Sequence, residues 1–142
     1  MNATMRKFGY PDSIVRDFDH WTVLLRPKQA TLGALVLACK QPVNDLGQVS
    51  AEGFTELQRV IKALEQALKQ AFGYEKLNYL MLMMVDGDVH FHVLPRYSQA
   101  QQFAGLSFAD PAWPGPPEIA YCTETDTAAQ AEIADLLEQS WP

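Results

Sequence analysis

The sequence predicts an α+β domain in which an antiparallel sheet of about five strands carries one long helix on one face. Three stretches predict it: residues 89–94 alternate as in a strand, residues 77–85 form an apolar run just before them, and residues 50–73 carry an amphipathic helical repeat. An apolar sheet face and an apolar helix stripe bury each other, so these elements should pack together. The chain has 142 residues, about one domain's worth, and no linker divides it, so we expect a single domain over residues 1–142.

Two of the three histidines in the chain, His90 and His92, lie two residues apart in the predicted strand. Side chains alternate between the faces of a strand, so both imidazoles should lie on one face while the apolar residues beside them enter the core. Burying a polar group without a partner costs roughly 2–7 kcal/mol, so such a pair is a stronger sign of function than one histidine. The third, His20, precedes the predicted strand Trp21–Leu25 and is interpreted as a polar residue at a strand start.

The dipeptide Asp86-Gly87 between the two apolar runs predicts a hairpin, because a type I′ turn needs positive φ at both central residues. A two-residue turn would give the histidine face a floor of two methionines and a tyrosine: Met83, Met81 and Tyr79. The opposite face would then be wholly apolar and would pack on the long helix.

Ser50 is a good N-cap and Gly73 a natural residue after a helix end, so these two residues bound the predicted long helix. Thr125-Asp126-Thr127 should cap a C-terminal helix, and Pro11-Asp12-Ser13 is a candidate start of a short one. Residues 98–125 combine prolines and glycines with scattered aromatics, which favours a packed loop over a lid.

A formal net charge of −6 argues against a non-specific nucleic-acid or membrane-surface binder, since either needs a basic face. This net charge does not argue against a small anionic ligand, which needs only a local cationic pocket. Cys39 and Cys122 are interpreted as free thiols in a reducing compartment, so we expect a cytoplasmic protein. Residues 1–18 do not resemble a signal peptide, and no apolar stretch is long enough to span a bilayer.

The segment His90–Arg96 resembles the end of the signature of the histidine-triad (HIT) superfamily, in which three histidines alternate with apolar residues and proline and arginine often follow. The resemblance covers about residues 20–97, with 98–142 forming a loop and a C-terminal helix beyond it. The first histidine of the triad falls at Asp88, and a further family histidine on a neighbouring strand falls at Ala34. If these two positions touch, the two replacements should go together.

The resemblance implies a nucleotide-binding hydrolase that acts on the α-phosphate of a nucleoside phosphate, dinucleoside polyphosphate or phosphoramidate. His90 would be the nucleophile, with Nδ1 donating to a fixed acceptor, and His92 would hold a phosphate oxygen. Asp88 would orient the imidazole or a water, although its charge would repel a phosphate. Arg26 and Arg96 are the candidate substrate-binding residues, because a guanidinium suits phosphate or a sugar edge.

The resemblance also implies a homodimer that forms through the long helix and a neighbouring strand, with a small nucleotide as ligand and no cofactor, nucleic-acid polymer or membrane as partner. Many relatives carry a longer glycine-rich loop before the triad that helps the leaving group. A two-residue turn at Asp86-Gly87 leaves no room for such a loop.

Two other classes of function compete with hydrolysis. The first is a nucleotide-binding or partner-binding module that keeps the fold and has lost the chemistry. The second is a His-x-His metal site, since His90 and His92 lie about 6.6 Å apart along a strand. Asp88 and His92 lie too far apart to share one ion, and no other ligand is placed beside them, so we expect no metal site.

Overall fold

The computed structural model describes all residues from Met1 to Pro142. Its elements, in chain order, are α1 (Ala3–Lys7), β1 (Ile14–Asp17), β2 (Trp21–Leu25), β3 (Leu35–Cys39), a short 3₁₀ turn (Leu46–Gln48), α2 (Ala51–Phe72), β4 (Lys76–Leu80), β5 (His90–Arg96), β6 (Gln101–Phe103), β7 (Leu106–Phe108) and α3 (Thr127–Gln139). Five strands form one antiparallel sheet in the order β1-β2-β3-β5-β4, and β6 and β7 form a separate hairpin. The predicted fold class is confirmed.

Helix α2 begins and ends where the sequence predicts. The Ser50 side chain accepts a hydrogen bond from the Gly53 N–H, and Gly73 adopts the left-handed conformation (φ 63°) that glycine reaches without strain. Leu64 and Leu68 are fully buried in the main core, which joins α2 to the sheet. Helix α3 packs against α2 and β1. The Asp126 side chain caps α3 by accepting from the Ala129 N–H, so the predicted C-terminal helix is confirmed.

The other face of the sheet carries His90 and His92, because they alternate along β5 with Phe91 and Val93, which pack in or against the core beside α2. This face is covered in part by α1, which the sequence did not predict. Met5 of α1 is 1% exposed and packs with residues of β2 and β3 that share the histidine face: Leu24, Val36 and Ala38. The N-terminal segment therefore forms a third layer over the site.

The predicted two-residue hairpin is wrong. Strand β4 ends at Leu80, residues 81–89 form a loop before β5, and the register pairs Leu80 with His92 and Tyr79 with Val93. A shift of one residue exchanges the faces of a strand, so Tyr79 turns to the helix side. There its hydroxyl donates to the Glu65 carboxylate at 2.7 Å, which gives the half-buried phenol a partner that the predicted register would deny it.

Two irregular segments also differ from expectation. Pro11-Asp12-Ser13 does not start a helix, because the Ser13 hydroxyl donates to the Phe8 carbonyl at 2.6 Å and β1 begins at Ile14. Residues 98–125 contain the β6–β7 hairpin, and Thr123 forms an isolated antiparallel bridge with Gln29. No helix of the structure combines the length and the hydropathy needed to cross a membrane.

Candidate active site

His90 and His92 lie side by side on the face of β5 that points away from α2. Their ring centroids are 5.2 Å apart, the ring planes are 80° apart, and only 2% of His90 and 7% of His92 is exposed. Strand β3 places Ala38 beside His90 and Val36 beside His92. The two imidazoles therefore stand on a sheet floor of small apolar side chains and are shielded from bulk water.

The orientation of His90 is fixed by the main chain. Its Nδ1 lies 2.6 Å from the Asp88 carbonyl oxygen. A carbonyl oxygen can only accept, so Nδ1 carries a proton, and in the neutral form of the ring Nε2 keeps a free lone pair. This is the arrangement that a nucleophilic imidazole requires, and the fixed acceptor expected for Nδ1 is the Asp88 carbonyl.

His92 is held in the neutral state by its surroundings. Burial is the main cause that lowers the pKa of His92 from 6.5 to about 4, and the positive charge of Arg26 acts in the same direction. The buried Nδ1 of His92 has no hydrogen-bond partner. A neutral ring carries one proton, and placing it on Nε2 avoids a buried N–H without an acceptor. Nε2 of His92 is then a donor.

The shift at His92 makes a prediction about stability. Between about pH 6.5 and about pH 4 the unfolded chain binds a proton at His92 that the folded chain does not bind. Stability from this residue is therefore complete above pH 6.5 and is lost as the pH falls through this window. We expect the free energy of unfolding of His92→Gln to fall by about 1–3 kcal/mol less than that of the wild type between pH 7 and pH 4.

Urea unfolding of the two proteins at intervals from pH 7 to pH 4 measures this difference. His20→Gln is the matched control, because His20 lies at the start of β2 and is not part of the cleft. It should follow the wild type. Equal acid dependence in wild type and His92→Gln would show that His92 is not buried in its neutral form.

A cleft of about 410 Å³ opens beside the two histidines. Three cationic side chains line it, Lys7, Arg26 and Lys28, against one carboxylate, Asp86. Most of the remaining lining is apolar and comes from the N-terminal segment, the loop before β5 and the segment after β7: Phe8, Leu82, Met83, Met84, Val85 and Ile119. The cleft thus joins a cationic side to an apolar wall next to the imidazoles.

Arg26, a predicted substrate-binding residue, lines this cleft. Its guanidinium donates to the carbonyls of Lys28 at 3.0 Å and Ile119 at 3.1 Å, and its Nε is buried without a partner. Burial lowers the pKa of Arg26, yet an arginine side chain stays charged at neutral pH. Arg26 is therefore a preoriented positive charge close to His92.

The N-terminal segment contributes residues that the sequence did not point to. The Phe8 ring lies over both imidazoles, with centroid distances of 6.1 Å to His90 and 5.6 Å to His92, and it meets His92 edge-on at 81°. Lys7 pairs with Asp86 at 2.8 Å. These contacts join positions about 80 residues apart, so no local spacing in the sequence indicates them. The only signal in the sequence is that Phe8 is a large apolar residue that requires a packing partner.

The Asp88 carboxylate contacts α1 and does not line the cleft. Its Oδ2 accepts from the Thr4 N–H at 3.2 Å and from the Thr4 hydroxyl at 2.9 Å. The predicted roles of this carboxylate in orienting groups and repelling phosphate stay predictions. Asp88 anchors α1 through its side chain and orients His90 through its carbonyl.

Arg96, the other predicted substrate-binding residue, does not line the cleft that contains the histidines. Its guanidinium donates to both carboxylate oxygens of Asp110, at 2.6 and 3.0 Å, to Asn78 Oδ1 at 2.7 Å and to the Gly115 carbonyl at 3.0 Å. The two charged side chains are 5% and 2% exposed. Arg96 is thus a buried clamp that fastens residues 98–125 to the sheet.

Ala34 and Asp88 do not touch, which corrects the suggestion that their replacements go together. Ala34 packs in a small cluster with Ala30 and Leu94, towards the far end of β5. Asp88 precedes β5 and contacts Thr4. The expected lack of room before the triad is also corrected, because the loop between β4 and β5 spans residues 81–89. The structure contains no cluster of three or more His, Cys, Asp or Glu side chains that could hold a metal ion.

The sheet, the helix on one of its faces and the paired histidines on the other define an α+β fold found in several solved proteins. A histidine triad (HIT) protein from Sinorhizobium meliloti superposes with a TM-score of 0.78 at 17% identity, covering 99% of this chain and 95% of that one. One from Marinobacter aquaeolei gives 0.77 at 19%, with coverage of 99% and 94%. A hypothetical histidine triad nucleotide-binding protein from Sulfolobus tokodaii gives 0.68 at 16%, with coverage of 90% and 82%.

The chain therefore has the histidine-triad fold over nearly its whole length, as the resemblance implied. No protein-family model and no curated protein matches the sequence.

Proposed function

We propose that this protein is a nucleotide-binding hydrolase of the histidine-triad superfamily. In this proposal Nε2 of His90 attacks the α-phosphate of a nucleoside phosphate, dinucleoside polyphosphate or phosphoramidate. The observation that carries the proposal is the contact of 2.6 Å between His90 Nδ1 and the Asp88 carbonyl, which leaves Nε2 unprotonated beside a cationic cleft.

The reaction has two steps. In the first, a bond forms between His90 Nε2 and phosphorus while the bond from phosphorus to the leaving group breaks, and the leaving group departs with the bonding electrons. In the second, water attacks phosphorus, the nitrogen–phosphorus bond breaks, and the lone pair returns to Nε2. The products are a nucleoside monophosphate and the free leaving group, with the water proton released to solvent or to the leaving group.

Charge develops on the phosphoryl oxygens in both steps, and preoriented donors stabilise it. His92 supports this role because its neutral ring offers Nε2–H as a donor beside His90. Arg26 supports it because its guanidinium is anchored on two carbonyls before any substrate binds. The apolar wall of the cleft offers a surface on which a nucleobase stacks.

A second candidate function is nucleotide binding without turnover. The observation that favours it is the cover of the nucleophile: Phe8 lies over both rings, and His90 is only 2% exposed. In-line attack needs the phosphorus about 3–3.5 Å from the attacking nitrogen, so Phe8 must leave room for it.

Crystals soaked with nucleoside monophosphates test the binding part of the proposal. We expect the phosphate to lie within hydrogen-bond distance of His90 Nε2 and His92. Intact-protein mass spectrometry at alkaline pH, after mixing with a nucleoside phosphoramidate, tests the chemistry, because a phosphohistidine survives there. Bound nucleotide with a nucleotidyl adduct on His90 supports the hydrolase. Bound nucleotide without adduct or turnover supports the binding module, and a nucleotide that binds elsewhere or not at all contradicts both.

We also propose that the protein is a homodimer. Strand β4 (Lys76–Leu80) is an edge of the sheet, and one side of its backbone has no partner strand within the protomer. Leu82, Met84 and Val85 follow it and are exposed, with Met84 at 88% and Val85 at 87%. Sedimentation at micromolar concentration should give a dimer, and a monomer under these conditions would contradict the proposal.

The location proposed for the protein is the cytoplasm. Cys39 is buried and Cys122 is half-buried, and neither forms a disulfide. Free thiols of this kind are typical of reducing compartments.

A further inference from the structure

We propose that Lys7 is a specificity-determining residue that binds an anionic group of the substrate beyond the phosphate that His90 attacks, and that Asp86 competes with that group for Lys7. The inference rests on the proposed function, because it takes the phosphate at His90 as the first anion. It assigns to the N-terminal segment a part in choosing the leaving group.

Lys7 lines the cleft, and its ammonium lies over the ring that covers the histidines. Its Nζ is 5.7 Å from the centroid of the Phe8 ring, and that ring is in turn 6.1 Å from His90. Lys7, Phe8 and His90 thus line one continuous cleft. A leaving group that carries a further phosphate or another anion would extend along this cleft from the phosphorus that His90 attacks.

The position of Lys7 is set by contacts on the segment that carries it. The Thr4 N–H and hydroxyl both donate to the Asp88 carboxylate, and the Asn2 side-chain amide donates to the Cys39 carbonyl at 3.0 Å. Met5 is 1% exposed beneath the segment. Lys7 therefore projects from an anchored helix and not from a loose chain end, and Asp88 acts as a positioning residue for it.

Asp86 is the only carboxylate that lines the cleft, and both of its oxygens contact Lys7 Nζ, at 2.8 and 3.1 Å. The side chain of Lys7 is 51% exposed and that of Asp86 is 20% exposed. An incoming anion must compete with Asp86 for the ammonium. Removing the carboxylate should therefore strengthen the binding of an anion that reaches Lys7, whereas removing the ammonium should weaken it.

The residue pair thus separates two classes of substrate. A leaving group that carries phosphate gains a contact with Lys7. A neutral amine leaving group gains none, and it also leaves the Lys7–Asp86 pair intact. Lys7 should accordingly favour polyphosphate leaving groups over neutral ones.

Calorimetric titration tests this with three probes: adenosine monophosphate, its α,β-methylene diphosphate analogue, which resists cleavage, and inorganic pyrophosphate. We expect Lys7→Met to weaken the methylene diphosphate and pyrophosphate by about fivefold, the size of a half-exposed ion pair, and to leave the monophosphate within about twofold. Asp86→Asn should tighten the methylene diphosphate by a similar factor. Arg6→Met is the matched control, since Arg6 precedes Lys7 on α1, is exposed, donates to the Met1 carbonyl and does not line the cleft. It should change none of the three.

An equal loss of affinity for monophosphate and methylene diphosphate in Lys7→Met, no loss for either, or the same loss in Arg6→Met would overturn the assignment of Lys7. Failure of the wild type to bind either nucleotide would contradict the proposed function instead. Pyrophosphate then decides alone: binding that Lys7→Met weakens supports Lys7 as an anion ligand, and absence of binding overturns both.

Discussion

Replacing His90 by alanine should abolish turnover. In the proposed reaction, the variant removes the atom that forms the covalent bond to phosphorus. Water must then attack the substrate directly, in a single step with a higher barrier. We expect kcat to fall by about 10³-fold or more, a loss typical of a missing nucleophile. Nucleotide affinity should change little, because the cations and the apolar wall of the cleft stay in place.

Hydrolysis of nucleoside phosphoramidates and of dinucleoside polyphosphates is the measurement, since the two share an α-phosphate and differ in leaving group. His20→Ala serves as control because His20 does not line the cleft. Unchanged hydrolysis in His90→Ala would show that His90 is not the nucleophile. Retained binding with no activity in the wild type would support the binding module.

Replacing Arg96 by methionine should destabilise the fold more than any change at the cleft. Methionine has a similar length, but it leaves the Asp110 carboxylate, only 2% exposed, without its bidentate partner. Removing one member of a buried ion pair costs about 3–5 kcal/mol, because the other charge remains buried. The Asn78 and Gly115 oxygens lose donors as well.

Urea unfolding measures the loss, and Arg16→Met is the matched control. Arg16 pairs with Glu138 at 3.5 Å, and the two side chains are 40% and 54% exposed, so its removal should cost less than about 1 kcal/mol. Proteolysis of Arg96→Met should begin within residues 98–125, which Asp110 and Gly115 fasten to β5. Equal, small effects of the two substitutions would refute the clamp.

Much of the fold can be predicted from the sequence because the helix caps and the alternation of strand residues are local patterns. The cap at Ser50, the glycine after α2 and the alternation around His90 each depend on residues within one element, and each is found where it was predicted. The register of β4 is different. Its apolar run continues past Leu80 without a break, and the contact that fixes the register, Tyr79 to Glu65, joins two elements.

The residues of the candidate site show the same difference between local signals and long-range contacts. The pair His90 and His92 follows from a spacing of two, which the alternation of a strand turns into proximity. The roles of Asp88 and Arg96 depend on Thr4 and Asp110, partners that no pattern near them indicates. The sequence therefore indicates that Arg96 is charged, but it does not indicate the buried ion pair that this charge forms inside the fold.

The anchored N-terminal segment also has a consequence for the order of events during synthesis. Thr4 meets its partner Asp88 across 84 residues, and Lys7 meets Asp86 across 79. The residues of α1 therefore leave the ribosome long before their partners, and they lack these contacts until the loop before β5 has emerged. Contacts of such long range are costly in chain entropy and form late. The cleft is thus completed by a segment that is synthesised early but docks late, once Asp86 and Asp88 are available to it.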